Sequence, residues 1–181
     1  EKYMTDEYAF FVDSGLTYDG AATTSITGLD HLEGETVAVL ADGAVHPNRT
    51  VTSGAITLQL AASVVNVGLP YVATIKTMPI EAGAQDGTAQ GKEQRINGIV
   101  LDLFETGAGL WYGPNTTDMD EYAVRSSGDA MDAPVPLFTG QTDRLAWPGE
   151  YEKGTQMVVQ HRLPLPCTVR ALLPQMHTYD R

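Results

Sequence analysis

The stretch from Gly28 to Pro47, GLDHLEGETVAVLADGAVHP, leaves a chain like this few folds to choose from. Glu35-Thr36-Val37-Ala38-Val39-Leu40 carries β-branched residues at strand spacing, and the Asp42-Gly43 pair behind it supplies the positive φ angles of a tight hairpin turn. Pro47 ends the return strand. The same pattern recurs downstream. Ile56-Thr57-Leu58-Gln59-Leu60 alternates, with Ile56, Leu58 and Leu60 on one face. Val64 to Val67 and Tyr71 to Met78 read as two strands parted at Gly68-Leu69-Pro70, where the proline removes a ladder donor. Arg95 to Glu105 is the longest β-like run, and through Thr106-Gly107-Ala108-Gly109 it leads to Leu110-Trp111-Tyr112 as a predicted hairpin. Asn97-Gly98 inside it reads as a bulge, because too few residues precede it to make a partner strand.

The rest of the chain fits the same class. Tyr8 to Val12 is a predicted first strand, closed by turns at Asp13-Ser14-Gly15 and Tyr18-Asp19-Gly20. Glu81 to Glu93 reads as a loop with at most one helical turn, and residues 113–133 as a long surface connection. Pro134 to Phe138 and Arg144 to Trp147 lead to Pro148-Gly149. The last strands are Thr155 to Arg162 and Thr168 to Leu173, divided by Pro164-Leu165-Pro166. The expected fold is all-β: a sandwich or distorted barrel of short antiparallel strands, with a projecting hairpin at residues 35–47 and little helix. Its predicted core is Phe10, Val37, Val39, Ile56, Leu58, Leu60, Ile75, Val100, Leu101, Leu103, Val158, Val169 and Leu172. Residues 1–9 are expected to be a linker from a larger upstream region, since the chain starts Glu1-Lys2 without a methionine. Residues 10–175 are read as one β domain and 176–181 as a tail.

Eleven Lys and Arg against 23 Asp and Glu give a net charge of -12 over 181 residues. That balance argues against holding nucleic acid by phosphate neutralisation, but suits an acidic wall that DNA slides past. No apolar run reaches the length of a bilayer span, so no membrane anchor is expected. A single cysteine, Cys167, cannot form an intrachain disulfide and reads as a core thiol.

Candidate chemistry is sparse. His31 with Asp30, Glu33 and Glu35 reads as a turn and the lead into a strand, because no nucleophile, phosphate loop or metal-ligand spacing stands near. Asp118-Met119-Asp120-Glu121 resembles the opening of a calcium loop but lacks its sixth-place glycine and closing glutamate. His31, His46, His161 and His177 lack the spacing of a zinc helix. Ser14, Ser25, Ser53, Ser63, Ser126 and Ser127 include no nucleophile elbow. A carboxylate pair for glycoside hydrolysis has only the number of acids in its favour. Asn48 and Asn115 head glycosylation sequons, taken as chance matches. Trp111, Tyr112, Trp147, Tyr151 and Tyr179 could stack on sugars, against the plainer reading of Trp111 and Trp147 as packing residues. The expectation is therefore a protein that is not an enzyme, with no catalytic, cofactor or metal residue assigned.

An ordered set of stretches carries a resemblance. Gly28 to Gly34, Val39 to Pro47, Val67-Gly68-Leu69-Pro70-Tyr71, Gly87-Thr88-Ala89-Gln90-Gly91, Arg95 to Phe104, Pro136 to Gly140, and Pro164 through Leu173 span most of residues 10–175. Together they resemble the C-terminal region of tail nozzle proteins of short-tailed bacteriophages, prophage genes sometimes labelled with a domain like one in ubiquitin-activating enzymes. Asn97-Gly98 departs from the strand-like residues of that pattern. No ubiquitin chemistry follows, since Cys167 has no adjacent base. The resemblance implies a non-catalytic component of the virion tail, made in the bacterial cytoplasm. It implies a ring, a hexamer in the full-length protein, below a tail adaptor and around the DNA exit channel, with DNA only as transiting cargo. Segments 83–91 and 113–133 are the expected contact loops. The alternative is a carbohydrate-binding or host-recognition module.

Overall fold

The computed structural model describes residues 9–81, 87–129 and 133–179. Strand makes up 56% of the chain and helix 2%, so the protein is all-β. Among the described residues the only helical turn is the 3-10 segment Asp30–Leu32. No described helix is long and apolar enough to cross a membrane.

The first sheet holds β1 (Asp13–Thr27), β2 (Thr36–Ala41), β3 (Ala44–Thr50) and β4 (Ala55–Leu69), antiparallel in the order β1-β4-β2-β3. Asp42 and Gly43, at φ 47° and 79°, form the two-residue turn between β2 and β3. β2 lies inside the sheet and β3 forms its margin. Ser53 and Gly54, at φ 55° and 65°, turn β3 into β4 in the same way. Leu29, Val37, Val39, Ile56, Leu58, Val65 and Val67 are buried together as one hydrophobic core.

Two sequence expectations change here. The residues read as turns, Asp13-Ser14-Gly15 and Tyr18-Asp19-Gly20, belong to the long strand β1, whereas residues 9–12 lie outside any strand and Tyr8 is outside the described residues. β1 pairs only with β4, so its largely solvated side chains tolerate Gly and Asp, and a register shift between Asp13 and Leu16 absorbs Ser14 at φ 50°. Leu60 is 72% exposed rather than in the core. Between the pairs Ser25↔Thr57 and Thr23↔Ala62, β4 has more residues than β1, and the surplus bulges outward with Leu60 on it. Residues 56–60 and 64–67 are thus one strand, and the break falls at Pro70.

The remaining strands are β5 (Ala73–Lys76), β6 (Glu93–Thr106), β7 (Leu110–Gly113), β8 (Asp120–Glu121), β9 (Phe138–Gln141), β10 (Glu152–Lys153), β11 (Val158–His161) and β12 (Thr168–Tyr179). They make two sheets. One runs β5-β11-β7-β8. In the other, β12 lies along one side of β6, while β10 and β9 pair with its other side. A second hydrophobic core joins Ile96, Ile99, Leu101 and Leu103 of β6 to Leu110, Tyr112, Trp147, Met157 and Val159.

β6 and β7 do not form the expected hairpin: β7 pairs with β11 and β8. The segment between them carries the chain from one sheet to the other, with Gly109 at φ 92° pressed so closely on the Leu163 side chain that a Cβ would clash. Asn97 is a bulge as read, since Gln175 faces Gly98 and the next residue, Met176, faces Ile96. β12 runs on past Leu173 to Tyr179, through residues read as the start of a tail. Pro174 is tolerated because, among the described residues, β12 has a partner on one side only. Ile75, expected in the core, is 52% exposed on the marginal strand β5. Phe10, Val100, Val169 and Leu172 are half-buried, and the other predicted core residues are buried.

Candidate functional site

The Gly28–Gly34 stretch forms a brace. Glu33 is solvent-facing, and its Oε1 accepts the Ser53 N–H at 2.8 Å and its Oε2 the Gly54 N–H at 2.7 Å. Both donors sit in the positive-φ turn between β3 and β4, which aims successive N–H groups at one carboxylate. Leu29 N–H donates to Gly54 O and Gly34 N–H to Val51 O, so the two turns are joined by backbone as well. Asp30 lies where a Cβ on Gly54 would go. The hydrogen bonds from Gly54 and then Ser53 hold the Glu33 carboxyl below its usual range. Its stabilising effect is therefore complete above about pH 4.5 and is lost as pH falls through the lowered folded-state value. Glu33→Gln is expected to flatten the acid limb of a melting-temperature profile between about pH 3 and 6. Parallel profiles for the two proteins would contradict the brace.

Other sequence candidates also serve the fold. Asp42 reaches past its own turn, its Oδ1 accepting from Ser63 N–H at 3.0 Å and Val64 N–H at 2.7 Å beside the β4 bulge. His46 accepts the Gln59 N–H on Nε2 at 3.0 Å, which leaves Nδ1–H to donate to Pro47 O at 2.7 Å. His31 donates to Ser14 O at 3.1 Å, and His177 lies exposed on β12. Asn115 Oδ1 accepts from the Thr117 and Asp118 N–H groups and the Thr117 hydroxyl, so the sequon residue organises a turn. Asp120 and Glu121 point to solvent from β8. Among the described residues no cluster of three His, Cys, Asp or Glu could hold a metal ion.

His161 and Cys167 both line a pocket of about 150 Å³, together with Phe11, Tyr71, Ala73, Ile75, Leu110, Val159 and Val169. Burial pushes the Cys167 thiol up to about 11 and, against a hydrogen bond to Ala108 O, lowers His161. At neutral pH the pair is a thiol and a neutral imidazole, not a thiolate and an imidazolium. The pocket is apolar in character, with Phe11 edge-on to His161 at 6.3 Å.

Beside that pocket runs a sheet margin with several exposed apolar side chains. β5 pairs with β11 alone, and the pairing continues as Thr77 N–H donates to Met157 O and Ile80 N–H to Thr155 O, both at 2.9 Å. Among the described residues no strand pairs with the other side of this segment. Its side chains include Val72, Ile75 and Met78, exposed by 55%, 52% and 81%. Lys76 is the only charge between Pro70 and Ile80. Natural sheets guard such margins with charges, prolines or a covering segment, and here Lys76 and Pro79 are the guards on the segment itself.

Of the aromatic residues, Trp147 is buried and stacked on Tyr112 at 6.2 Å, and Trp111 lies under the Arg162 guanidinium at 4.4 Å. Trp147 presents no open face to a sugar, and Arg162 covers one face of Trp111. Tyr151 and Tyr179 do reach solvent, each 46% exposed. No protein-family model matches the chain, and no curated protein matches it in sequence.

Proposed function

We propose that this chain is a structural, non-catalytic part of a bacteriophage tail, a segment of the nozzle ring that surrounds the departing DNA. The observation that carries the reading is the β5 margin: a sheet edge that exposes Val72, Ile75 and Met78 beside an apolar pocket, with Lys76 as its one charge, is a liability in a free monomer and an asset in an assembly. A neighbouring subunit that covers this edge with a different surface of its own makes a head-to-tail contact, which generates a ring where the rotation between subunits closes. The stretches that carry the resemblance support it, because they form the brace, the β2–β3 turn and the bulged strand β6, positions that set geometry rather than chemistry.

Charge supports the same role. Between residues 9 and 72 the acids Asp13, Asp19, Asp30, Glu33, Glu35 and Asp42 stand against one base, Arg49. A surface of that kind repels phosphates, so DNA passes without sticking. The tail adaptor and other tail proteins are the remaining partners of the proposal.

Immunogold electron microscopy of induced phage particles, with antibodies raised to this chain, tests it. Gold on the tails of most particles is expected. Unlabelled particles, with the protein free in the lysate, would overturn it.

A further inference from the structure

The pocket that His161 and Cys167 line holds one polar atom that the fold leaves unused. Directly opposed residues share a face of a sheet, as do residues two apart on one strand. His161 of β11 pairs with Ala73 of β5, so His161, Ala73 and Ile75 face the pocket from one sheet. His161 is 6% exposed, and its Nε2 lies 3.3 Å from Ala108 O, an atom that can only accept. Nε2 therefore carries the proton, and Nδ1 is left as an acceptor with no partner among the described residues. The described side-chain N and O atoms that are both sealed from solvent and unpaired are Arg49 Nε and Gln94 Oε1. Nδ1 is not one of them, so it is reached from outside, and the pocket is the opening that its ring lines.

We infer that this pocket binds a small neutral phenol, a single aromatic ring that carries one hydrogen-bond donor. Its volume of about 150 Å³ suits a molecule the size of benzene. Phe11 and Tyr71 bring aromatic rings to it, and the aliphatic wall offers flat apolar contact to a third ring. The phenol hydroxyl donates to Nδ1, which otherwise bears the cost of a poorly hydrated acceptor. A water bound there is short of further partners, because the rest of the wall is mainly apolar. No charged side chain lines the pocket, so an ionised ligand loses its hydration without gaining a counter-charge. A carboxylate also meets the Nδ1 lone pair, acceptor against acceptor. Cys167 does not alter this balance, since burial holds its thiol at about 11 and it stays neutral. The site stands whether or not the β5 margin assembles.

The test is an NMR titration of the whole chain that reads the imidazole nitrogens and the backbone amides, at a concentration where the chain sediments at 19.5 kDa. Phenol should move the Nδ1 resonance of His161 and the Ala73 and Ile75 amides saturably. Toluene, which has the ring without the donor, should leave Nδ1 in place, and benzoate and benzylammonium should move none of them. His161→Phe keeps a ring and removes the acceptor, and it should weaken phenol about tenfold while toluene binds as before. Ala73→Leu narrows the pocket at an exposed position and should weaken both ligands. If His161→Phe fails to fold, the parent Nδ1 resonance and Ala73→Leu decide the matter. An unmoved Nδ1, benzoate binding as tightly as phenol, or either variant holding phenol as tightly as the parent would each overturn the inference. So would an Nδ1 resonance that moves on dilution of the ligand-free chain, which would put a second copy's tyrosine in the pocket.

Discussion

Leu101→Ala should lower the free energy of unfolding by about 3–5 kcal/mol, seen as a fall in the urea midpoint with the slope unchanged. Leu101 is fully buried at the middle of β6, opposite Leu172 of β12 and within the core of Ile99, Leu103 and Val159. Its backbone is held from the other side as well. Leu101 N–H donates to the Thr142 hydroxyl at 3.1 Å, and Thr142 N–H donates to Leu101 O at 2.9 Å. With β6 pinned along both sides, the strand cannot sink into the space left by the lost methyl groups, so the cavity remains open. A loss below about 1 kcal/mol would mean that this core repacks freely, contrary to the geometry.

Ile75→Lys combined with Met78→Lys should abolish self-association while leaving the melting temperature nearly unchanged. Both side chains are more than half exposed, so their replacement removes little buried area and the expected change in stability is within about 0.5 kcal/mol. A strand added to β5 would have to bury the two new ammonium groups, the device by which natural sheets keep their edges apart. Sedimentation velocity decides it: the parent mass should rise with concentration above 19.5 kDa, and the double variant should stay there. A parent that remains a monomer, or a double variant that still associates, would rule out β5 as the contact.

The hairpin of β2 and β3 was legible because its information is local. Asp42-Gly43 can take the positive φ angles of its turn wherever it stands, and Val37 and Val39 alternate on one face within a few residues. The Asn97 bulge was legible for a related reason, since a turn pair without room for a partner strand leaves one geometry. β1 was not legible. Its Gly and Asp pairs have the local propensity of turns, and only pairing with β4 across some forty residues makes them a strand. Which of the aromatic residues pack and which reach solvent was not legible. Nothing near Trp147 in the chain announces Tyr112 beneath it, and nothing near Trp111 announces Arg162 above it.

The amino-acid sequence alone determined the all-β class, the Asp42-Gly43 turn and the acidic charge, because each depends on propensities and patterns within about ten residues. Tertiary structure alone decided which strands are inner and which marginal. Ile75 and Leu60 carry the same alternating signal as Val39 and Leu58, yet one lies on an unpaired margin and the other on a bulge set by register with β1. It likewise set Lys153, Glu93 and Tyr179 of three strands abreast. Hydrogen-bond register across the sheet sets such neighbours, and a single strand's sequence does not encode its partner's offset.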